Sequence, residues 1–162
     1  MIIGGTSATY TTGYTAQSIY LTTPLQYVQV LSLSLAQESF TIETWIYVVT
    51  YTSNDIGIFS QCDAYNVCMS LSIRNQRLTF SLNSMNTNNI TLTGGTLILI
   101  SNFYHIAVVY DAVRYQQLIY VNGQIDAVSN GMVYPYQGNS ASTITAIGKS
   151  ISFAYPNSYF SG

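Results

Sequence analysis

Charge is what this sequence has least of. Lys, Arg, Asp and Glu make up 6% of its 162 residues, against about 25% in an average soluble domain. The four cations, Arg74, Arg77, Arg114 and Lys149, are scattered, so no basic stripe follows a phosphate backbone and nucleic acid is excluded as a partner. One histidine, His105, and two cysteines fall short of the four ligands of a structural zinc site. No apolar run reaches the ~18 residues of a membrane-spanning helix. The nearest, TLILISNFYHIAVVY, is broken by Ser101, Asn102 and His105, and membrane insertion is not expected. The start, MIIGGTSAT, lacks the basic and long apolar regions of a signal peptide, which leaves a removed signal, a fragment or a cytosolic chain. No window keeps a 3.6-residue apolar period for three turns, so no substantial helix is expected.

What is present is apolar and hydroxyl-rich. Hydrophobic residues reach 48%, with 15 tyrosines, far from the composition of a disordered chain. Ser, Thr, Asn, Gln and Tyr must supply solubility. Residues 1–162 read as one domain, long enough to bury ~70% of its unfolded surface.

Short runs rich in β-branched and aromatic residues recur between Gly, Asn, Pro and Ser. Examples are YVQVL (27–31), SFTIETWIYVVT (39–50), CMSLSIR (68–74), RLTFSLN (77–83), TLILI (96–100), HIAVVY (105–110) and QQLIYV (116–121). This is the pattern of an all-β sandwich or barrel. Asn122-Gly123 suits a two-residue type I′ hairpin turn, and Asn75-Gln76 sits at a similar tip. From the first turn, Leu118, Tyr120, Ile125 and Ala127 are expected to face the core, with Ile119, Val121, Gln124 and Asp126 opposite.

Candidate chemistry is sparse. His105 and Asp111 lie about 20 Å apart on an extended strand, too far to form a catalytic pair. His105 is expected to be a satisfied core histidine. Glu38 and Glu43 fall on opposite strand faces, unlike the paired carboxyls of a glycosidase. No catalytic residue is assigned, and a glycoside hydrolase remains a minor alternative. Cys62 and Cys68 flank a loop that could turn a hairpin and bring them to disulfide distance; otherwise they are reduced buried thiols. Calcium is the metal that loop would suit, with Asp63 and Asn66 as ligands. Trp45 shares a strand face with Thr41, Glu43 and Tyr47, and an aromatic beside a carboxylate suits a sugar ring. The YPYQGNS loop offers Tyr134, Tyr136 and Asn139 as further binding elements. Against this, sole tryptophans of sandwiches are usually core. The Asn89-Ile90-Thr91 sequon, the paired cysteines and the lysine-poor surface point outside the cell.

In their order and spacing, SFTIETWIY, IFSQCDAYNVCMSLSIRNQRLTFSL, FYHIAVVYD, LIYVNGQ and ITAIGKS resemble the laminin G-like domains of the concanavalin A-like superfamily. The resemblance covers about residues 13–162. It implies a two-sheet antiparallel jelly-roll sandwich, non-enzymatic, binding glycan or an extracellular protein, sometimes with calcium. Phe103 stands where Trp is usual, and TTPLQ replaces an Asn/Asp-bearing loop before Tyr27. The last residues fall where the family continues into a further strand. The expectation is therefore an exposed sheet edge through which a fragment, or an assembly subunit, would associate.

Overall fold

The computed structural model describes residues 2–4, 8–22, 25–31, 33–51, 55–84, 90–138, 143–151 and 158–162. The strands are β1 (Ile2–Gly4), β2 (Thr9–Thr12), β3 (Gln17–Tyr20), β4 (Tyr27–Leu31), β5 (Phe40–Tyr47), β6 (Asp55–Cys62), β7 (Cys68–Arg74) and β8 (Arg77–Ser84). They continue with β9 (Ile90–Leu97), β10 (Phe103–Asp111), β11 (Gln116–Val121), β12 (Gln124–Val128), β13 (Ile144–Ile147), β14 (Lys149–Ser150) and β15 (Ser158–Tyr159). Among the described residues there is no helix. Two antiparallel sheets form a jelly-roll sandwich: seven strands ordered β1-β4-β13-β6-β7-β8-β9 face four ordered β12-β11-β10-β5. β2 with β3, and β14 with β15, make small separate ribbons.

Alternation decides the core. On β5, Phe40, Ile46 and the following Val48 point inward; on β10, Ile106, Val108 and Tyr110 do the same. They meet Ile56, Phe59, Leu71, Ile73, Leu78, Phe80 and Leu82 of the larger sheet in one continuous apolar layer. Tyr110 is fully buried, and its hydroxyl donates to the Val133 carbonyl at 3.0 Å. Loss of water, and then the nearby Tyr115 and Asp111, push its phenol up to about 12.

The turns follow their residues. Asn122 and Gly123 both have positive φ (50° and 78°), as do Asn75 and Gln76 (48° and 61°), which is the type I′ requirement at each tip. Cys62 and Cys68 face each other across β6 and β7 and form a disulfide, their Cα atoms 4.1 Å apart.

The structure departs from expectation at two places. The core face of β11 carries Ile119 and Val121, whereas Leu118 and Tyr120 face outward and Ile125 is 61% exposed. Pairing with β10 decides this, because Val121 and Ile119 lie opposite the inward Ile106 and Val108. A register shift between Ile119 and Tyr120 then carries Ala127 to the inner side. The second correction concerns TLILI: Thr96 and Leu97 close β9, and Ile98 to Ile100 lie in the turn that follows.

The sandwich is closed differently at its two sides. Asp126 of β12 reaches across to β9, where its Oδ1 accepts hydrogen bonds from the Thr96 amide at 2.9 Å and the Thr96 hydroxyl at 2.6 Å. Gly94 makes room for this carboxylate, since a Cβ there would overlap Oδ2. On the opposite side, among the described residues, β5 has no further strand beyond it in its sheet. Only past its end does Val49 donate to the Ser161 carbonyl at 2.9 Å, while Leu21 and Gly162 exchange backbone hydrogen bonds of 2.8 and 3.0 Å.

Candidate functional site

The outward row of β5 is Thr41, Glu43, Trp45 and Tyr47, and that of β10 is Phe103, His105, Ala107 and Val109. Antiparallel pairing sets Tyr47 opposite Phe103, Trp45 opposite His105 and Glu43 opposite Ala107. Four rings therefore meet on one solvent-facing surface. The Trp45 and His105 centroids lie 5.2 Å apart, and those of Tyr47 and Phe103 4.8 Å apart. A fifth ring comes from elsewhere. Tyr14, at the tip joining β2 to β3, stacks on Trp45 at 3.8 Å with planes 15° apart and stands 5.6 Å from Phe103.

This arrangement alters the expected roles. Trp45 is on the surface, 38% exposed, but one face of its indole is covered by Tyr14, which is itself 58% exposed. The open platform is thus the outer face of Tyr14, with Phe103 inclined beside it and Glu43 further along β5. His105 is not in the core. It is half-buried on the outer face against Trp45, because strand alternation leaves Tyr104 and Ile106 as the inward residues on either side. Its backbone closes the neighbouring hairpin: its amide donates to Asn122 Oδ1 at 3.0 Å and its carbonyl accepts from the Asn122 amide at 2.7 Å.

Beneath the β2–β3 hairpin a cavity of about 400 Å³ opens between the sheets along the free side of β5. Ile42, Ile46, Val28, Ile58, Ile147 and Phe160 line its interior, and Tyr14, Glu43 and Trp45 stand at its border. Its volume falls in the range of small-molecule sites.

The other sequence candidates are dispersed. Tyr134 is exposed in the loop after β12. Tyr136 is corrected: it is 0% exposed, with its hydroxyl 3.1 Å from the Val67 carbonyl and 3.4 Å from that of Gln61. It plugs the sandwich, and buried Asn83 secures the same loop through the Pro135 carbonyl and the Gln137 amide, both at 2.9 Å. Asn139 and Asn89 lie outside the described residues.

Asp63 is buried, and its Oδ1 accepts from the amides of Tyr65 and Val67, both at 2.9 Å. Asn66 takes positive φ (61°) and donates its amide to the Asp63 carbonyl at 3.1 Å. The carboxylate thus organises its own hairpin loop. Calcium takes six to eight oxygen ligands, and of the Asp63 carboxylate Oδ1 is engaged by two amides of its own loop. Among the described residues no three His, Cys, Asp or Glu side chains converge on one point.

Comparison with known proteins agrees with this architecture. The CBM40 domain of the Ruminococcus gnavus IT-sialidase, solved with α2,3-sialyllactose, is similar with a TM-score of 0.69 at 19% identity, over 89% of this chain and 84% of that one. Domain 4 of AbnA, an extracellular arabinanase from Geobacillus stearothermophilus solved with arabinotriose, gives 0.73 at 15% identity over 98% and 72%. Domains LG4-5 of the mouse laminin α1 chain give 0.61 at 12% identity over 84% of this chain and 36% of that one. At these identities the likeness is one of fold. No curated protein matches the sequence significantly. A family profile described as the concanavalin A-like lectin/glucanases superfamily, of laminin G type, matches residues 22–162. The chain belongs to that superfamily.

Proposed function

We propose that this chain is a non-catalytic recognition module that binds carbohydrate on the outer face of its four-stranded sheet, in a protein that works outside the cell. The observation that carries this reading is the exposed Tyr14–Trp45 stack with Phe103 beside it. A pyranose ring has an apolar C–H face that rests on such rings, and hydroxyls that hydrogen-bond to a neighbouring carboxylate. Glu43 supplies the carboxylate. Relatives of the same fold solved with sialyllactose and arabinotriose support a sugar as ligand. The disulfide supports an oxidising compartment.

The disposition of the acids supports a binding role over hydrolysis. Of six carboxylates, Asp55 pairs with Arg74 and Asp111 with Arg114. Asp63 and Asp126 hold backbone amides. Glu43 and Glu38 remain: Glu43 lies on the outer face of β5, and Glu38 lies in the bend two residues before that strand, so the two do not alternate along one strand face as a paired acid and nucleophile would.

A glycan array with and without calcium tests the reading. Binding that is lost in Trp45→Ala, with unchanged circular dichroism and no calcium requirement, is the expected result. Retention of all array binding by Trp45→Ala would place the ligand elsewhere. A second reading, assembly through the sheet edge, is favoured by the side of β5 that carries no strand among the described residues. Sedimentation velocity across concentrations distinguishes it, since an assembly subunit polymerises without added sugar.

A further inference from the structure

The location of the positive charges says which sugars the aromatic face accepts. The chain has four Lys and Arg residues in all, and each is engaged away from that face. Arg74 pairs with Asp55 at 2.7 Å on the seven-stranded sheet. Arg77 donates to the Gly95 carbonyl. The Lys149 ammonium lies over the rings of Tyr27 and Tyr159, at 4.6 and 5.2 Å from their centroids. Arg114 lies in the turn joining β10 to β11 and pairs with Asp111 at 2.8 Å. Asp111 is six residues along β10 from His105, about 20 Å from the ring cluster.

The charged side chain that remains beside the rings is therefore an anion, Glu43. We propose that the aromatic face is selective for neutral sugars and rejects glycans that carry a carboxylate, such as sialylated or uronate-bearing chains. This rests on the reading of that face as a glycan platform. A sugar carboxylate settling there would lose hydration without gaining a cationic partner, and would lie near a second anion. A neutral ring meets no such opposition and gives its hydroxyl protons to the carboxylate, a charge-assisted hydrogen bond. Specificity then comes from the repulsive group as much as from the attractive rings.

The test is an array of neutral glycans, each printed beside its sialylated or uronate-bearing counterpart. It is read at pH 8, above the range in which an ordinary histidine is charged. Wild type, Glu43→Gln, Tyr14→Ala and Trp45→Ala are compared. The expected result is at least tenfold tighter binding of the neutral members. That gap narrows in Glu43→Gln, and both Tyr14→Ala and Trp45→Ala lose the binding. Equal or tighter binding of the acidic counterparts, abolished by Tyr14→Ala, overturns the selectivity while leaving the platform in place. Absence of any bound glycan, or binding indifferent to both aromatic substitutions, overturns the platform and the selectivity with it.

Discussion

The phenol ring of Tyr14 lies face to face with the indole of Trp45, centroids 3.8 Å apart and planes 15° from parallel. The two residues come from different ribbons: Tyr14 from the tip of the small β2–β3 hairpin, Trp45 from the last strand of the four-stranded sheet. The stack holds the hairpin over the open side of the sandwich. It also makes Tyr14, rather than Trp45, the surface that a ligand meets first.

Tyr14→Ala is expected to lower glycan affinity at least tenfold and to cost the fold only about 0.5–1.5 kcal/mol, the value of one aromatic pair. Tyr14→Phe keeps the ring and retains most of the affinity. Titration calorimetry beside thermal unfolding separates the two effects. A Tyr14→Ala variant of unchanged affinity would show that the outer ring is not the platform.

Gly123→Val tests the opposite class of residue. Gly123 has φ of 78°, and nothing stands within 4 Å of a Cβ placed there, so the cost of the substitution is conformational. A β-branched residue in that region loses about 1–2 kcal/mol of stability. Affinity per folded molecule should be unchanged, because the β11–β12 tip contributes no ring to the cluster. A urea titration and a binding isotherm on the same preparation check both halves.

Part of the fold and of the site is legible in the sequence. The strand character, the Asn122-Gly123 turn and the outward placement of Trp45 and Glu43 depend on local alternation, which a sequence displays. The inner face of β11 depends on its pairing with β10 and on a register shift near Ile119, and neither has a local signature. His105 invites the wrong placement because an isolated histidine in an apolar run suggests burial, although the alternation of β10 puts Phe103 and His105 on one face. Its opposition to Trp45 could have been found by aligning the two strands. Tyr14 had no such signal, since a hairpin tip reaches a distant strand only in three dimensions. Tyr136 carries the sequence signature of an exposed loop tyrosine, and its burial depends on a distant partner, the Val67 carbonyl, which has no local signal.

Gly94→Ala should destabilise although it adds only a methyl group. The new Cβ would overlap Asp126 Oδ2, forcing the carboxylate away from Thr96 and breaking the latch between β9 and β12. A loss of about 1–3 kcal/mol is expected. In a double-mutant cycle with Asp126→Ala the two effects should be strongly non-additive, since both remove the same contact. Simple additivity in denaturant midpoints would show that Gly94 acts through something other than Asp126.

Alkali should weaken this protein in a particular window. The Tyr110 phenol is held up to about 12, first by burial and then by Tyr115 and Asp111. Burial, followed by the Asp63 carboxylate, raises that of Tyr136 as well. An unfolded chain releases these protons near pH 10. Because the folded values are raised, the folded state keeps its protons longer. The associated stability is complete below pH 10 and falls as pH climbs from 10 through about 12. For Tyr110 the gap between those values caps the loss near 3 kcal/mol. Urea midpoints at pH 8, 10 and 11 should fall progressively. Tyr110→Phe should start lower at pH 8 by about 0.5–1.5 kcal/mol, having lost its bond to the Val133 carbonyl, and then decline less steeply. A parallel decline in wild type and Tyr110→Phe would show that this phenol does not govern alkaline unfolding.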